Sequence, residues 1–408
     1  MKSCKELLYF YRDIKKDNNC LLKKQIECMK FNTKAIHGKQ HPDKAYGSVM
    51  TPIYQTSTYA QSTPGGHKGY EYSRSSNPTR HALEQSFASI ENGNYGLAFA
   101  SGLAAIDAIM KLLKPGDEVV STSDLYGGTY RLFTKIFEGF GIKFHFVGMD
   151  NASNIETYIN ARTKLIWVET PTNPMLNIID IKAVAALAKK HHILLGVDNT
   201  FATPYLQVPL DLGADIVMHS ATKYLGGHSD LVMGALIVND KQLADRLYFI
   251  QNASGAICGP QDSFLALRGI KTLHVRMQRH CENGKAVAFY LKTHPMVDKV
   301  YWPGFKDHPN HDIAKKQMKD YGGMISFTTK VDSLVGAINF VEKLRIFTLA
   351  ESLGGVESLA GHPASMTHGS IPKEERERLG IKDSLIRLSV GIEDEEDLIA
   401  DLKQALMA

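Results

Sequence analysis

From about residue 82 to residue 240 the apolar positions switch between two rhythms. Leu103, Ile106, Met110 and Leu113 recur at helical spacing, and Pro115, Gly116 and Asp117 end that stretch. Ile181, Val184, Ala185 and Ala188 form a second helical stripe. Between and after these stripes lie short apolar runs at 118–121, 164–168, 193–197 and 215–218, which predict buried strands. Three of them run into polar clusters, at 169–173, 198–200 and 219–223. Buried strands alternating with amphipathic helices predict an α/β domain, its sheet mostly parallel and covered by helices on both faces. In such sheets ligands sit beyond the carboxyl ends of the strands, where the polar clusters fall.

The flanking text is different. Residues 1–28 form a charged, weakly patterned leader, and Met29 is a second candidate start; the leader is then either dispensable or a surface helix. Residues 29–80 contain a stretch rich in Tyr, Ser, Thr, Pro and Gly with little helical period, either a loose loop or an extended arm laid on another surface. The alternating region fills 81–280. Residues 281–408 predict a smaller α+β domain, entered through a helix over 279–292. Strands are predicted at 297–302, 324–329 and 385–390, and helices at 333–344 and 395–406.

Composition excludes several classes. With 44% hydrophobic and 22% charged residues the 408-residue chain is neither disordered nor a small disulfide scaffold. A net charge of +4 implies no field for nucleic acid or membrane. The five cysteines (Cys4, Cys20, Cys28, Cys258, Cys281) are odd in number and widely spaced, which suits free thiols in a reducing compartment. No apolar run approaches the roughly 18–20 residues that span a bilayer. The first thirty residues lack a secretory apolar stretch and carry four acidic residues, so the cytoplasm is expected. There are 16 histidines, yet His191 and His192, like His308 and His311, lack ligand-spaced partners and are expected at the surface, with no metal site. No phosphate-loop or dinucleotide glycine motif is present.

The candidate chemistry begins at Ser220-Ala221-Thr222-Lys223, directly after a predicted strand. Two hydroxyls and an ammonium there suit either a phosphate or a reactive amine. The preceding strand ends in Asp198-Asn199-Thr200. A lysine and a carboxylate on neighbouring strand ends are what pyridoxal phosphate requires: the amine forms a Schiff base with the aldehyde, and the acid keeps the pyridine nitrogen protonated. A phosphate also needs backbone amides at a helix start, and Ser101-Gly102-Leu103 opens the first helical stripe. Tyr126 offers a flat partner for the ring, or packs as a loop aromatic on the core. Arg387 is a charge inside an apolar strand, where a ligand anion or an ion-pair partner is expected.

From about Phe31 to Ala408 the chain resembles the pyridoxal-phosphate enzymes of cysteine and methionine metabolism, the cystathionine γ-lyases, cystathionine γ-synthases and methionine γ-lyases. The resemblance is carried by Tyr-Ser-Arg-Ser-Ser-Asn-Pro-Thr (72–79), Ala-Ser-Gly-Leu-Ala-Ala (100–105), Asp-Leu-Tyr-Gly-Gly-Thr (124–129) and Glu-Thr-Pro-Thr-Asn-Pro (169–174). Further matches are Asp-Asn-Thr-Phe (198–201), Ser-Ala-Thr-Lys-Tyr (220–224), Leu-Arg-Gly (267–269), Glu-Ser-Leu-Gly-Gly (351–355) and Arg-Leu-Ser-Val-Gly-Ile-Glu (387–393). It implies the aspartate-aminotransferase-like fold, with Lys223 linked to the cofactor and shuttling protons. Asp198 would meet the pyridine nitrogen and Asn173 would lie near the ring hydroxyl. Gly102, Leu103, Ser220 and Thr222 would hold the phosphate, and Tyr126 would stack on the ring. Tyr72 and Arg74 would reach the phosphate of a neighbouring subunit in a homotetramer built as a dimer of dimers. Arg387, helped by Ser352, would bind the substrate carboxylate.

Within the family, the loop Tyr126-Gly127-Gly128-Thr129 lacks the cysteine typical of methionine γ-lyases. Glu351 suits the distal amino group of cystathionine, or is simply solvated. The resemblance favours cystathionine γ-lyase, releasing cysteine, 2-oxobutanoate and ammonia; cystathionine γ-synthase is the alternative. A non-catalytic pyridoxal-phosphate carrier would be expected to lack Lys223, Asp198 or Arg387, and all three are present.

Overall fold

A computed structural model describes residues 29–407 except 368 and 370–372. The leader 1–28, with Cys4, Cys20 and Cys28, lies outside the described residues. Seven strands build the larger sheet: β1 (Tyr95–Phe99), β2 (Glu118–Thr122), β3 (Lys143–Val147), β4 (Thr163–Glu169), β5 (Leu194–Asp198), β6 (Ile216–Ser220) and β7 (Gly234–Val238). Their order is β1-β7-β6-β5-β4-β2-β3.

The strand period divides neighbouring apolar residues between the two faces. Val120, Ile166, Val168, Val197, Val217 and Ile237 face a core shared with Leu83 and Phe87 of the helix Pro78–Ile90 and with Ile181 and Val184 of the helix Ile181–His191. Val119, Leu165, Trp167, Ile216, Met218 and Leu236 face the other way. They meet Ile106 and Ile109 of the helix Gly102–Met110, and Ala244 and Leu247 of the helix Lys241–Ser254. Each fully buried aliphatic side chain contributes about 1.5–3 kcal/mol, so both faces are needed to hold the sheet.

One strand breaks the parallel pattern. β7 runs antiparallel to both β6 and β1, with Ser220 opposite Gly234. Parallel neighbours need a crossover, usually a helix, and residues 221–233 contain only turns and loop. The chain therefore doubles back beside β6, and Lys223 sits in the return.

The smaller sheet contains β8 (Val297–Tyr301), β9 (Met324–Thr329), β10 (Thr348–Leu349), β11 (Leu359–Gly361) and β12 (Leu385–Ser389), in the order β10-β11-β12-β9-β8. Ile325, Phe327, Ile386 and Leu388 pack with Leu398 and Leu402 of the C-terminal helix Glu395–Met407 and with Phe340 of the helix Leu334–Lys343. β10 and β11 are too short for a period to reveal. The helix expected from residue 279 begins at Leu273, because Leu273, Met277 and Cys281 continue the buried stripe of Leu273–Thr293 toward its N-terminus. Residues 80 and 280, where composition changes, both fall inside helices.

Among the described residues no helix is long and apolar enough to cross a membrane, and no group of three His, Cys, Asp or Glu side chains is placed to hold a metal. His192 is exposed as expected, but His191, His308 and His311 are less superficial. His308 and His311 are half-buried and bond to the carbonyls of Leu176 and Pro303, because the loop that carries them packs against the larger sheet's connections.

Asn77 joins the arm to the helix Pro78–Ile90. Its Oδ1 accepts from the amides of Thr79 (2.9 Å) and Arg80 (3.4 Å), while Nδ2 donates to the Tyr54 carbonyl at 2.8 Å. Asn77→Ala removes the cap and leaves buried groups without partners. The expected loss is about 2–4 kcal/mol, read as a lower urea midpoint at unchanged slope.

Candidate active site

β6 delivers Ser220, and a tight turn follows in which the Lys223 amide bonds to the Ser220 carbonyl at 3.1 Å. Thr222 pins this turn: its hydroxyl accepts from the Met233 amide at 2.9 Å and donates to the Met233 carbonyl at 3.2 Å. Lys223 therefore projects into a cavity of ≈ 350 Å³ beyond the ends of β4, β5 and β6, a volume that suits a small cofactor. Its Nζ donates to Ser352 Oγ at 2.7 Å. Burial and the Arg387 charge push the amine down to about 8, against the opposing pull of Glu351.

Asp198 ends β5 and lies in register with Glu169 at the end of β4. Its Oδ1 accepts from the Thr200 amide (3.0 Å) and hydroxyl (2.5 Å), and the same hydroxyl accepts from the Ser220 amide at 2.9 Å. Thr200 thus ties the acid's strand to the lysine's strand. Burial raises the Asp198 carboxyl above its ordinary range, partly offset by the Thr200 bonds and the nearby His219. Glu169 is raised further, by burial and then by the Asp198 charge. Its two oxygens accept from the amides of Tyr126 (2.9 Å) and Asn173 (3.0 Å).

Arg387 comes from the middle of β12 in the other sheet and is 4% exposed. Of the two partners expected for it, a ligand anion or an ion-pair carboxylate, the chain itself does not provide the second among the described residues. Nη1 donates to Asn173 Oδ1 at 2.9 Å and Nη2 to the Ser352 carbonyl at 2.9 Å, both neutral acceptors. No carboxylate lies within ion-pair distance among the described residues, and burial holds the guanidinium down to about 10. The residue is left as a buried cation at the cavity wall.

The remaining predicted residues divide. Gly102, Leu103, Tyr126, Asn173, Ser220, Thr222, Glu351 and Ser352 all line the cavity. Ser101 caps the helix Gly102–Met110 by accepting from the Ala104 amide at 3.0 Å, which leaves the Gly102 and Leu103 amides at its open end. A Cβ on Gly102 would meet Met218 Cε and Ser220 Cβ at 3.0 Å, so glycine keeps this cradle open. Tyr126 is 40% exposed, and its ring lies over Gly128, where a Cβ would stand 2.3 Å from it. Glu351 is exposed at the cavity mouth. Tyr72 and Arg74 lie elsewhere: neither is among the lining residues, Tyr72 is 46% exposed, and Arg74 Nη1 bonds to the Asn252 carbonyl at 2.8 Å.

In the sequence Glu169 reads only as part of a polar strand end and Thr200 only as part of the Asp198 motif. The signal for both was position, one at the end of β4 beside Asp198 and one two residues beyond it. Deeper still, Glu91 Oε1 meets His219 Nε2 at 2.5 Å and Asn199 Nδ2 at 3.0 Å, linking residues adjacent to Ser220 and Asp198.

This donor set fits pyridoxal 5'-phosphate. An amine of lowered basicity stands ready for an aldehyde, and a buried acid in the same cavity is available to a ring nitrogen. Open helix amides with the Ser220 hydroxyl suit a phosphate, and an exposed aromatic face suits the ring.

Comparison with known proteins gives the same direction. The family model for Cys/Met metabolism PLP-dependent enzymes matches residues 32–407. The cystathionine beta-lyase of Lactococcus lactis subsp. cremoris is 56% identical over 374 residues, covering 92% of this chain and 98% of that protein. The cystathionine gamma-lyase of Dictyostelium discoideum is 53% identical over 378 residues, covering 92% and 97%. Among solved structures, the cystathionine gamma-lyase of Lactobacillus plantarum complexed with L-serine superposes with a TM-score of 0.90 at 48% identity, covering 93% and 99%. A cavity built around Lys223 and Asp198, in a chain matched from residue 32 to residue 407, makes this protein a member of the pyridoxal-phosphate-dependent enzymes of cysteine and methionine metabolism.

Proposed function

We propose that the protein cleaves L-cystathionine by γ-elimination, forming L-cysteine, 2-oxobutanoate and ammonia. The observation that carries this reading is the meeting of Lys223 and Arg387 on one residue: Ser352 takes the amine on its hydroxyl and the guanidinium on its carbonyl. A free α-amino acid bound with its carboxylate on Arg387 would then present its α-proton to Lys223.

Bound pyridoxal phosphate supplies an electron sink that makes that proton acidic. The protein supplies the rest. Lys223, pushed down to about 8, holds an appreciable neutral fraction near neutral pH and takes the proton from the α-carbon. Ser352 Oγ orients the amine. The first proton must leave Lys223 before the second arrives: it would be handed on to the electron sink that the bound cofactor supplies, and the amine, neutral again, would take the second proton from the adjacent carbon as the cysteine sulfur departs from the γ-carbon. Asp198 would meet the ring nitrogen of the bound cofactor, and Tyr126 would lie against its ring. Glu351 at the mouth suits the distal ammonium of cystathionine. Tyr72 and Arg74, exposed and outside their own cavity, suit contact with the cofactor phosphate of a second copy of this chain, in a homotetramer with shared sites.

A second reading has its own support. The Lactococcus relative is named a beta-lyase, and β-elimination uses the same parts with the other half of cystathionine at Lys223. The two reactions differ in which carbon–sulfur bond breaks, and so in product: γ-elimination gives 2-oxobutanoate and cysteine, β-elimination gives pyruvate and homocysteine.

Incubation of the purified holoenzyme with L-cystathionine is expected to yield 2-oxobutanoate with cysteine, identified by mass spectrometry. Pyruvate with homocysteine would replace the first reading by the second. Faster turnover of an acylated homoserine with cysteine would instead favour γ-replacement. Lys223→Ala is expected to abolish turnover, and the cofactor's visible band, at an unchanged far-ultraviolet circular dichroism spectrum; retained activity would rule out the assigned base. In the apoprotein, labelling of Lys223 by an amine-selective reagent should rise with pH and level off above about 8, because only the neutral amine reacts. Peptide mapping would check this, and a rise continuing past pH 10 would mean an unperturbed lysine.

A further inference from the structure

Glu169 is the cavity carboxyl for which the reaction above has no use. It is 4% exposed and has no cation within ion-pair distance among the described residues. Burial and the neighbouring Asp198 both disfavour its charge. What holds it is backbone. Oε2 takes the Tyr126 amide at 2.9 Å and Oε1 takes the Asn173 amide at 3.0 Å. These amides belong to different connections, one following β2 and one following β4. The link extends further, since Asn173 Oδ1 receives Arg387 Nη1 at 2.9 Å. Two N–H donors converge on two oxygens, and only a carboxylate offers an acceptor to each; a glutamine would turn its NH₂ against one of them.

We propose that Glu169 is a positioning residue that fixes Tyr126 against the cofactor ring and, through Asn173, fixes Arg387 against the substrate carboxylate. The inference rests on the reading that Tyr126 faces the cofactor and Arg387 the substrate.

The test uses Glu169→Gln in the full-length holoenzyme. Equilibrium titration of the apoenzyme with pyridoxal phosphate should show at least a tenfold weaker Kd, and the induced circular dichroism of the bound cofactor should fall. KM for L-cystathionine should rise at least tenfold, by more than kcat falls. Kd and KM within twofold of wild type would overturn the proposal. So would a loss of kcat alone at wild-type KM and dichroism, which marks only a smaller folded fraction. If Glu169→Gln does not fold, hydrogen exchange of the wild-type holoenzyme decides: the Tyr126 and Asn173 amides should exchange at least a hundredfold slower than an unprotected amide, and free exchange at both would overturn the proposal. Arg387→Ala separates the two readings. An unchanged KM there would remove Arg387 from the substrate, while the Kd and dichroism of Glu169→Gln would still judge the hold on Tyr126.

Discussion

Arg387 is where the two sheets meet over the cavity. A guanidinium taken out of water costs several kcal/mol unless its donors are met, and here Asn173 and Ser352 meet two of them with neutral oxygens. The hydrogen bonds fix its direction, and among the described residues no carboxylate lies at ion-pair distance to neutralise its charge. A site arranged this way has a standing preference for an anion, and it can satisfy that preference only when the smaller sheet is docked against the strand ends of the larger one.

Around that cation the other cavity groups form one connected circuit. Tyr126 and Asn173 hang from Glu169, Asn173 reaches Arg387, Arg387 reaches the Ser352 carbonyl, and the Ser352 hydroxyl holds Lys223. Thr200 closes the floor by joining Asp198 to the Ser220 amide. The charges are segregated: carboxyls at the ends of β4 and β5, cations on the β6 return and on β12. Burial raises the two acids and lowers Lys223, so each of these three sits nearer neutrality than it would in water, while Arg387, lowered only to about 10, stays charged. That is the condition under which protons move between groups at modest cost.

Much of this could be read in advance, and the reason is local. Strand β5 is a continuous apolar run that ends in Asp198, and β6 is another that ends at Ser220, so the strand ends and their polar residues announce themselves in order. Helix starts did the same: Ser101 and Gly102 stood where a cap and an open glycine belong. The reversed strand β7 was not legible, because an apolar run has the same composition in either direction and only the lack of a crossover helix sets its sense. The short β10 and β11 had no period to show. The helix Leu273–Thr293 was placed late because its first turns bury one stripe among many polar residues.

What the sequence determined alone was the set of chemical groups and their assignment to strand ends, since apolar runs, caps and turn residues act over a few positions. Which groups touch was decided by the tertiary structure. Glu169 reads as one polar residue in a loop motif until the parallel register sets it beside Asp198 and two loops converge on it. Arg387 reads as a lone charge in a strand until β12 lies against the residues that follow β4. Contacts between Asn173 and Arg387, or between Lys223 and Ser352, join parts of the chain far apart in sequence. Their existence depends on how two cores pack against each other, and no local pattern of residues encodes that.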